Sequence, residues 1–325
     1  MATRVYPRSR WPHRLAVVTA ALTLLLIFVG GLVTNTGSAL AVPDWPTTFG
    51  YNMFLYPWSK MVGGIFYEHS HRLVGSTVGL LMVALSVSLW FAEPRQWVRT
   101  LGIVGVFAVI VQGILGGLRV VLLDHPLAIF HACVAQAFFA LLVSLAVVTS
   151  QFWEHAAEQP PLVDALRLRS VAVAAVVLVY LQTVFGALLT HTGARLDAHL
   201  LFAVLVTGSV GRLVVRVMRA HRHRAALRRP ALLLLGLLLL QLGLGLGAYL
   251  WRFTAVSEAM ASGLGLAFQA SHRITGTAVL GTATILALRI IRLAGVRRTM
   301  AAPADTPEEQ FARRLGADRT HGVLA

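Results

Sequence analysis

Long apolar stretches separated by short polar ones dominate the chain. Runs of about 18 or more apolar residues read as membrane helices. Eight occur, at roughly residues 15–33, 65–91, 98–119, 127–151, 168–190, 198–218, 231–250 and 265–291. A transmembrane barrel would show short alternating segments instead, and none is present. The spans also repeat as hairpins. In each, an odd-numbered helix carrying glycine or glutamine is followed by a helix with a histidine near its start. Gly30 and Gly31 precede His71, and Gln112, Gly113, Gly116 and Gly117 precede His131. Gln182 and Gly186 precede His199, and Gln241, Gly243, Gly245 and Gly247 precede His272. Small residues let membrane helices approach closely or leave room for a flat ligand. The polar, proline-containing segment from Trp153 to Arg167 separates two halves. The pattern predicts an all-α integral membrane protein with eight transmembrane helices in two pseudo-symmetric four-helix bundles. Their expected limits are 1–155 and 156–300, followed by a mobile cytoplasmic tail at 301–325.

Composition agrees with this. Of 325 residues, 57% are hydrophobic, and the mean hydropathy is +0.73. The net charge of +15 would also suit a nucleic-acid binder, but the placement of the charges argues against one. The side expected to hold both termini and the loops near 95, 160 and 225 collects 22 of the 28 Lys and Arg. The other side's loops hold only Lys60, Arg119, Arg195 and Arg252, and Arg72 and Arg273 sit within helices. That asymmetry puts both termini in the cytoplasm. The densest tract, Arg212 to Arg229 with His221 and His223, is expected to face anionic lipid. It lacks the motifs and aromatic interleaving of nucleic-acid recognition. The single cysteine, Cys133, excludes an intramolecular disulfide, a CxxC redox pair and a cysteine zinc cluster, leaving it a packing role. The Arg-rich start, Arg4 to Arg14, leads into a near-spanning apolar run with no convincing small-residue cleavage site. It is expected to be a retained first helix, not a signal peptide. The longest outer loop, about Thr34 to Gly64, contains Val42-Pro43-Asp44-Trp45-Pro46. Trp45 and Trp58 suit a membrane interface, and a cap without chemistry stays open for this loop.

The candidate chemistry lies in Glu68-His69-Ser70-His71-Arg72, with a partial echo at Ser271-His272-Arg273. Ionisable side chains within a span are functional candidates by default. His71, His131, His199 and His272 stand at one expected depth, one per hairpin. Four residues after them come Gly75, Ala135, Ala203 and Gly276, which would clear space on the imidazole's face. His69 is turned about 200° from His71 on an ideal helix and points elsewhere. Imidazoles from facing helices are a standard axial pair for haem iron. Pairing His71 with His131 and His199 with His272 would give two haem-iron sites. A hydrogen-bonded structural role is the alternative for any one of them, and zinc would require a closed tetrahedral cage. Arg72 and Arg273 match carboxylate geometry and would anchor propionates, or else snorkel to the interface. Glu68 lies three residues before His71, on its face, whereas Gln269 holds that place before His272. An acid at one site and an amide at the other points to proton or oxygen chemistry at the first and electron transfer at the second. Pairing of Glu68 with Arg72 at the interface is the rival reading.

These motifs together resemble the haem A synthase family. The similarity rests on Gly-Leu-Val-Thr-Asn-Thr-Gly at 31–37, Pro-Asp-Trp-Pro at 43–46, Glu-x-x-His-Arg at 68–72 and His131 in His-Ala-Cys-Val-Ala-Gln. It continues with His199 and Ser-His-Arg at 271–273. The resemblance implies an oxidoreductase that converts the C8 methyl of haem O to the formyl of haem A by successive hydroxylations, for cytochrome oxidase biogenesis. It implies that His199 and His272, with Arg273 nearby, hold a haem b cofactor. His71 and His131, with Arg72, would hold substrate haem O, and Glu68 would be the catalytic acid. Electrons would pass from the N-terminal to the C-terminal haem and on to an external acceptor. The implied setting is the bacterial cytoplasmic (inner) membrane, with haem O from haem O synthase, an electron acceptor and membrane lipids as partners. Self-association stays open, and no nucleic acid is expected. Many relatives carry a cysteine pair in the first outer loop, and this chain has none. A di-haem b electron-transfer protein and a haem transporter or chaperone are the alternatives; internal repetition alone would suit a transporter.

Overall fold

A computed structural model describes residues 9–258 and 262–300, with residues 125, 262 and 296–300 described by backbone alone. The tail expected at 301–325 lies outside the described residues. Eight long helices run α1 Trp11–Asn35, α2 Gly64–Ala92, α3 Gln96–Leu122, α4 His125–Val148, α5 Ala165–Thr192, α6 Leu196–Ala220, α7 Ala225–Phe253 and α8 Ser262–Met300. Each contains a stretch long and apolar enough to cross a membrane. The protein is therefore a multi-pass membrane protein.

The fourth span ends earlier than the hydrophobic pattern predicts. α4 stops at Val148, where the Thr149 and Ser150 hydroxyls donate to the carbonyls of Leu145 and Val147. Ser150 then caps a separate short helix, Gln151–His155, by accepting the Trp153 N–H. Hydroxyl side chains compete in this way for backbone groups and favour helix ends. At the other end of the molecule, Gly193 closes α5 with φ +71°, its N–H on the Leu189 carbonyl. This left-handed cap suits glycine and lets α6 begin at Leu196.

Helices α1 to α4 pack in a ring, each against the next and α4 against α1; α5 to α8 repeat the arrangement. The two rings meet along α4 and α8, with α1 also against α8 and α5 against α4. Exchanging the halves therefore maps α1 onto α5, α2 onto α6, α3 onto α7 and α4 onto α8. Lipid tails are as apolar as leucine, so close packing and interhelical hydrogen bonds hold such helices together. At Gly281 of α8, an added Cβ would stand 2.9 Å from the Phe139 ring of α4. Gln136 Nε2 donates to Thr277 Oγ1 at 3.1 Å across the same seam, and the Tyr180 hydroxyl donates to the Cys133 carbonyl at 3.3 Å. The outward faces are apolar: Leu80, Phe91, Phe107, Leu166 and Val204 are each more than two-thirds exposed. On a soluble surface, apolar exposure of this extent would be a liability.

Candidate functional site

Each of the four histidines lies in the early turns of an even-numbered helix, and each ring rests on a glycine of the helix before it. An added Cβ would meet Cε1 of His71 at 2.9 Å over Gly30, and Cε1 of His131 at 3.2 Å over Gly116. The corresponding separations are 3.4 Å for His199 over Gly186 and 2.9 Å for His272 over Gly245. At Gly30, Gly116 and Gly245 the absent side chain is thus what admits the imidazole into the helix groove. His71 and His131 face each other with ring centres 6.5 Å apart and planes at 72°. His199 and His272 repeat this at 6.2 Å and 67°.

These separations bear on what the pairs can hold. Two imidazole nitrogens, each about 2 Å from a shared metal, place their ring centres roughly 6.3 Å apart. Among the described residues, no group of three or more His, Cys, Asp or Glu is assembled that could hold a metal ion. A two-imidazole set needs its remaining ligands from elsewhere, as a porphyrin supplies them. Nδ1 of His71, His131 and His199 is buried without a hydrogen-bond partner, whereas His272 Nδ1 lies 3.2 Å from the Gln241 carbonyl. For His272, an Nδ1–H donated to that carbonyl leaves Nε2 as the ligating atom. The donor set therefore fits an axially ligated haem in each bundle.

The pockets differ in their polar surroundings. Three bed glycines are preceded, one turn earlier, by a glutamine, and the first by Leu26. Gln182 Nε2 lies 3.3 Å from His199 Nε2, and Gln241 Nε2 lies 3.2 Å from His272 Nε2. In the N-terminal pair, Gln112 donates instead to the His131 carbonyl at 3.1 Å. The small residues four positions after the histidines serve this packing. Gly75 backs onto Leu26, and a Cβ on Gly276 would stand 3.1 Å from the Gln241 amide nitrogen. At Gly276 the missing Cβ makes room for the Gln241 side chain, whereas at Gly75 a Cβ would make only ordinary contact with Leu26.

Glu68 and Arg72 form a buried pair, Arg72 Nη2 to Glu68 Oε1 at 2.8 Å. Together they hold the first outer loop. Glu68 Oε2 accepts the Val42 N–H at 3.0 Å. Arg72 Nη1 donates to the carbonyls of Asp44 (2.7 Å) and Thr47 (3.0 Å), and Nη2 also donates to that of Val42 (3.0 Å). Four of the five guanidinium donors are thus directed to loop carbonyls and Glu68, which leaves little of Arg72 for a propionate. His69 is buried and points away from the pair as expected, with Nδ1 3.1 Å from the Thr48 hydroxyl. The loop folds on Asp44, whose carboxylate accepts the Phe49 and Gly50 N–H groups and the Thr47 hydroxyl. Partial burial raises the Asp44 pKa, but the Gly50 N–H, the Thr47 hydroxyl and the Phe49 N–H outweigh it and hold the value down at about 2. The neighbouring Trp45 ring lies directly on Gly117, beside the bed of His131. The loop expected to lack a disulfide is held by these contacts instead.

The bundle arrangement also corrects the comparison of Glu68 with Gln269. α2 corresponds to α6 and not to α8, so the counterpart of Glu68 is Leu196 and that of Arg72 is Leu200. Ser-His-Arg at 271–273 is an echo in sequence and not a symmetry mate. The asymmetry of acids survives, but as carboxylate against leucine. The guanidinium of Arg273 is packed against Gly31 of the other bundle and has no hydrogen-bond acceptor among the described residues. Sequence reasoning placed Arg119 in an outer loop. It lies on α3, one turn after Gly116, and its charge acts on Glu68, His71 and His131 together. Its spacing from Gly116 was the available signal.

Eight spans enclosing two facing imidazole pairs define a polytopic membrane protein. Residues 13–199 match the model of the COX15-CtaA family, described as cytochrome oxidase assembly protein. The chain belongs to this family. It is similar to Heme A synthase of Shouchella clausii (strain KSM-K16), 31% identical over 186 residues, 56% of this chain and 60% of that protein. Heme A synthase of Lysinibacillus sphaericus (strain C3-41) is 31% identical over 185 residues, 55% of this chain and 58% of that protein. Heme A synthase of Listeria welshimeri is 26% identical over 184 residues, 56% of this chain and 59% of that protein. The matched stretch spans about 60% of the relatives' length. The family match ends at His199, so the assignment of His272 rests on the repeat within this chain.

Proposed function

We propose that this chain is a haem A synthase of the bacterial cytoplasmic membrane, oxidising the C8 methyl of haem O to a formyl group. The observation that supports it best is the unequal character of two otherwise matched imidazole pairs. Only the pair His71 and His131 stands beside a buried carboxylate, Glu68. His199 and His272 are flanked by glutamine amides. A haem b between His199 and His272 supplies one-electron transfer, and His71 with His131 holds substrate haem O. Glu68 uses one lone pair on each oxygen for Arg72 and Val42. A carboxylate has about four acceptor sites, so Glu68 retains capacity to orient water or take up a proton at the substrate methyl. Arg72 holds Glu68 in place, and the loop it fastens keeps bulk water from the outer mouth of the pocket. A plain di-haem b electron-transfer protein has no use for a carboxylate at one pocket only.

The test is pigment extraction from membranes expressing this chain together with haem O synthase. A formyl-bearing haem is expected from the natural chain. In Glu68→Gln, haem O should accumulate while the haem at His199 and His272 stays bound. Undiminished haem A from that variant would remove Glu68 from the chemistry. Total absence of haem A from the natural chain would overturn the assignment itself.

A further inference from the structure

The N-terminal pocket contains a cation with no hydrogen-bond partner among the described residues. Arg119 is on α3, three residues beyond the bed glycine Gly116, and residues at that spacing share a helix face. That face carries the His131 ring. Arg119 makes no hydrogen bond among the described residues, although it lies within electrostatic range of Glu68, His71 and His131. The pocket's other guanidinium, Arg72, is already directed to three loop carbonyls and Glu68. The exchange of halves puts Ala248 where Arg119 stands, so the feature belongs to one pocket only. A guanidinium kept beside two imidazoles, with no hydrogen-bond acceptor among the described residues, is poised for an anionic ligand, and its planar fork matches carboxylate geometry.

We infer that Arg119 is the carboxylate-binding residue of the N-terminal pocket, pairing with a propionate of the tetrapyrrole held between His71 and His131. This rests on the haem reading above and moves the anchoring role from Arg72 to Arg119. It also gives the pocket an orientation: the acidic edge of the macrocycle lies towards α3.

The experiment uses the full chain, purified in detergent with its resident haem. Further ferric protoporphyrin IX, or its dimethyl ester, is titrated in and followed by the Soret band. A His71→Ala/His131→Ala chain provides the blank. In Arg119→Leu, affinity for the dicarboxylate should fall about tenfold or more, the low end for a hydrogen bond to a charged group. Affinity for the ester should be unchanged. Arg119→Lys, which keeps the charge but loses the fork, should fall between. Retention of the resident haem spectrum shows that each variant has folded. Equal weakening of both porphyrins, or of neither, would overturn the role of Arg119 while leaving the pocket intact. Failure of the natural chain to bind either porphyrin above the blank would overturn the haem reading, and this inference with it.

Discussion

A single hydrogen in place of a methyl group sets how closely each imidazole can lie in its groove, and the four positions are not equally tight. At Gly30 and Gly245 a Cβ would come within 2.9 Å of the ring, at Gly116 within 3.2 Å, and at Gly186 only within 3.4 Å, an ordinary contact. Alanine gains up to about 1 kcal/mol over glycine within a helix, while forced overpacking costs about 1–3 kcal/mol. Gly30→Ala and Gly245→Ala should therefore displace their histidines and lose haem from the affected pocket. Gly186→Ala should retain haem and unfold at equal or higher temperature, and Gly116→Ala should lie between. Haem-to-protein ratio and melting temperature across the four variants check the order. Asp44 provides a second single-residue prediction. Its folded pKa, about 2, is below the ordinary 3.8, so its contribution is complete above that value and is lost as pH falls through the folded pKa. Trp45 fluorescence should report loosening of the loop between about pH 4 and 2. Asp44→Asn cannot titrate and should remove that transition.

At the scale of the element, the opening turns of α2 are a clasp as much as a site. Glu68, His69 and Arg72 reach in different directions along one helix end, yet all three fasten the loop at 42–48. Removing one partner of a buried ion pair costs about 3–5 kcal/mol, because the other charge is left uncompensated. Arg72→Leu should accordingly free the loop, seen as faster amide exchange across 42–50 and cleavage by added protease. Arg72→Lys should show a smaller effect of the same sign. The helices themselves were legible from apolar run length, because a membrane leaves the backbone few alternatives. The histidines were legible because they recur once per hairpin. What the sequence did not disclose was direction. Arg72 beside an acid and a histidine reads as a ligand anchor, but the carbonyls of Asp44 and Thr47 meet it only once a loop 25 to 28 residues away folds back. Arg119 reads as a loop residue until α3 is seen to continue through Leu122.

At the scale of the whole molecule, the exchange of halves explains why two imidazole pairs occur, and the basic end predicts which way they face. The side chains at that end tie the connections together: Arg95 donates to the Val148 carbonyl, Arg224 to those of Pro160 and Pro161, and Arg292 to that of Trp153. The loops near 95, 160 and 225 therefore share one face, opposite the loop clasped by α2. Basic residues near an anionic leaflet contribute about 1 kcal/mol each, so the face bearing Arg219, Arg222, Arg228 and Arg229 should be cytoplasmic and both pockets should open towards the outer side. The lone cysteine makes this directly measurable. In a Cys133→Ala chain, Trp58→Cys should react with a membrane-impermeant maleimide in intact cells. His223→Cys should react only after the membrane is broken. Trp58 and His223 are both exposed, so the difference reads sidedness and not burial. The reverse pattern would place the clasped loop in the cytoplasm. Haem O would then have to reach His71 and His131 from the opposite side, and the pocket with the carboxylate would open where the basic loops were expected.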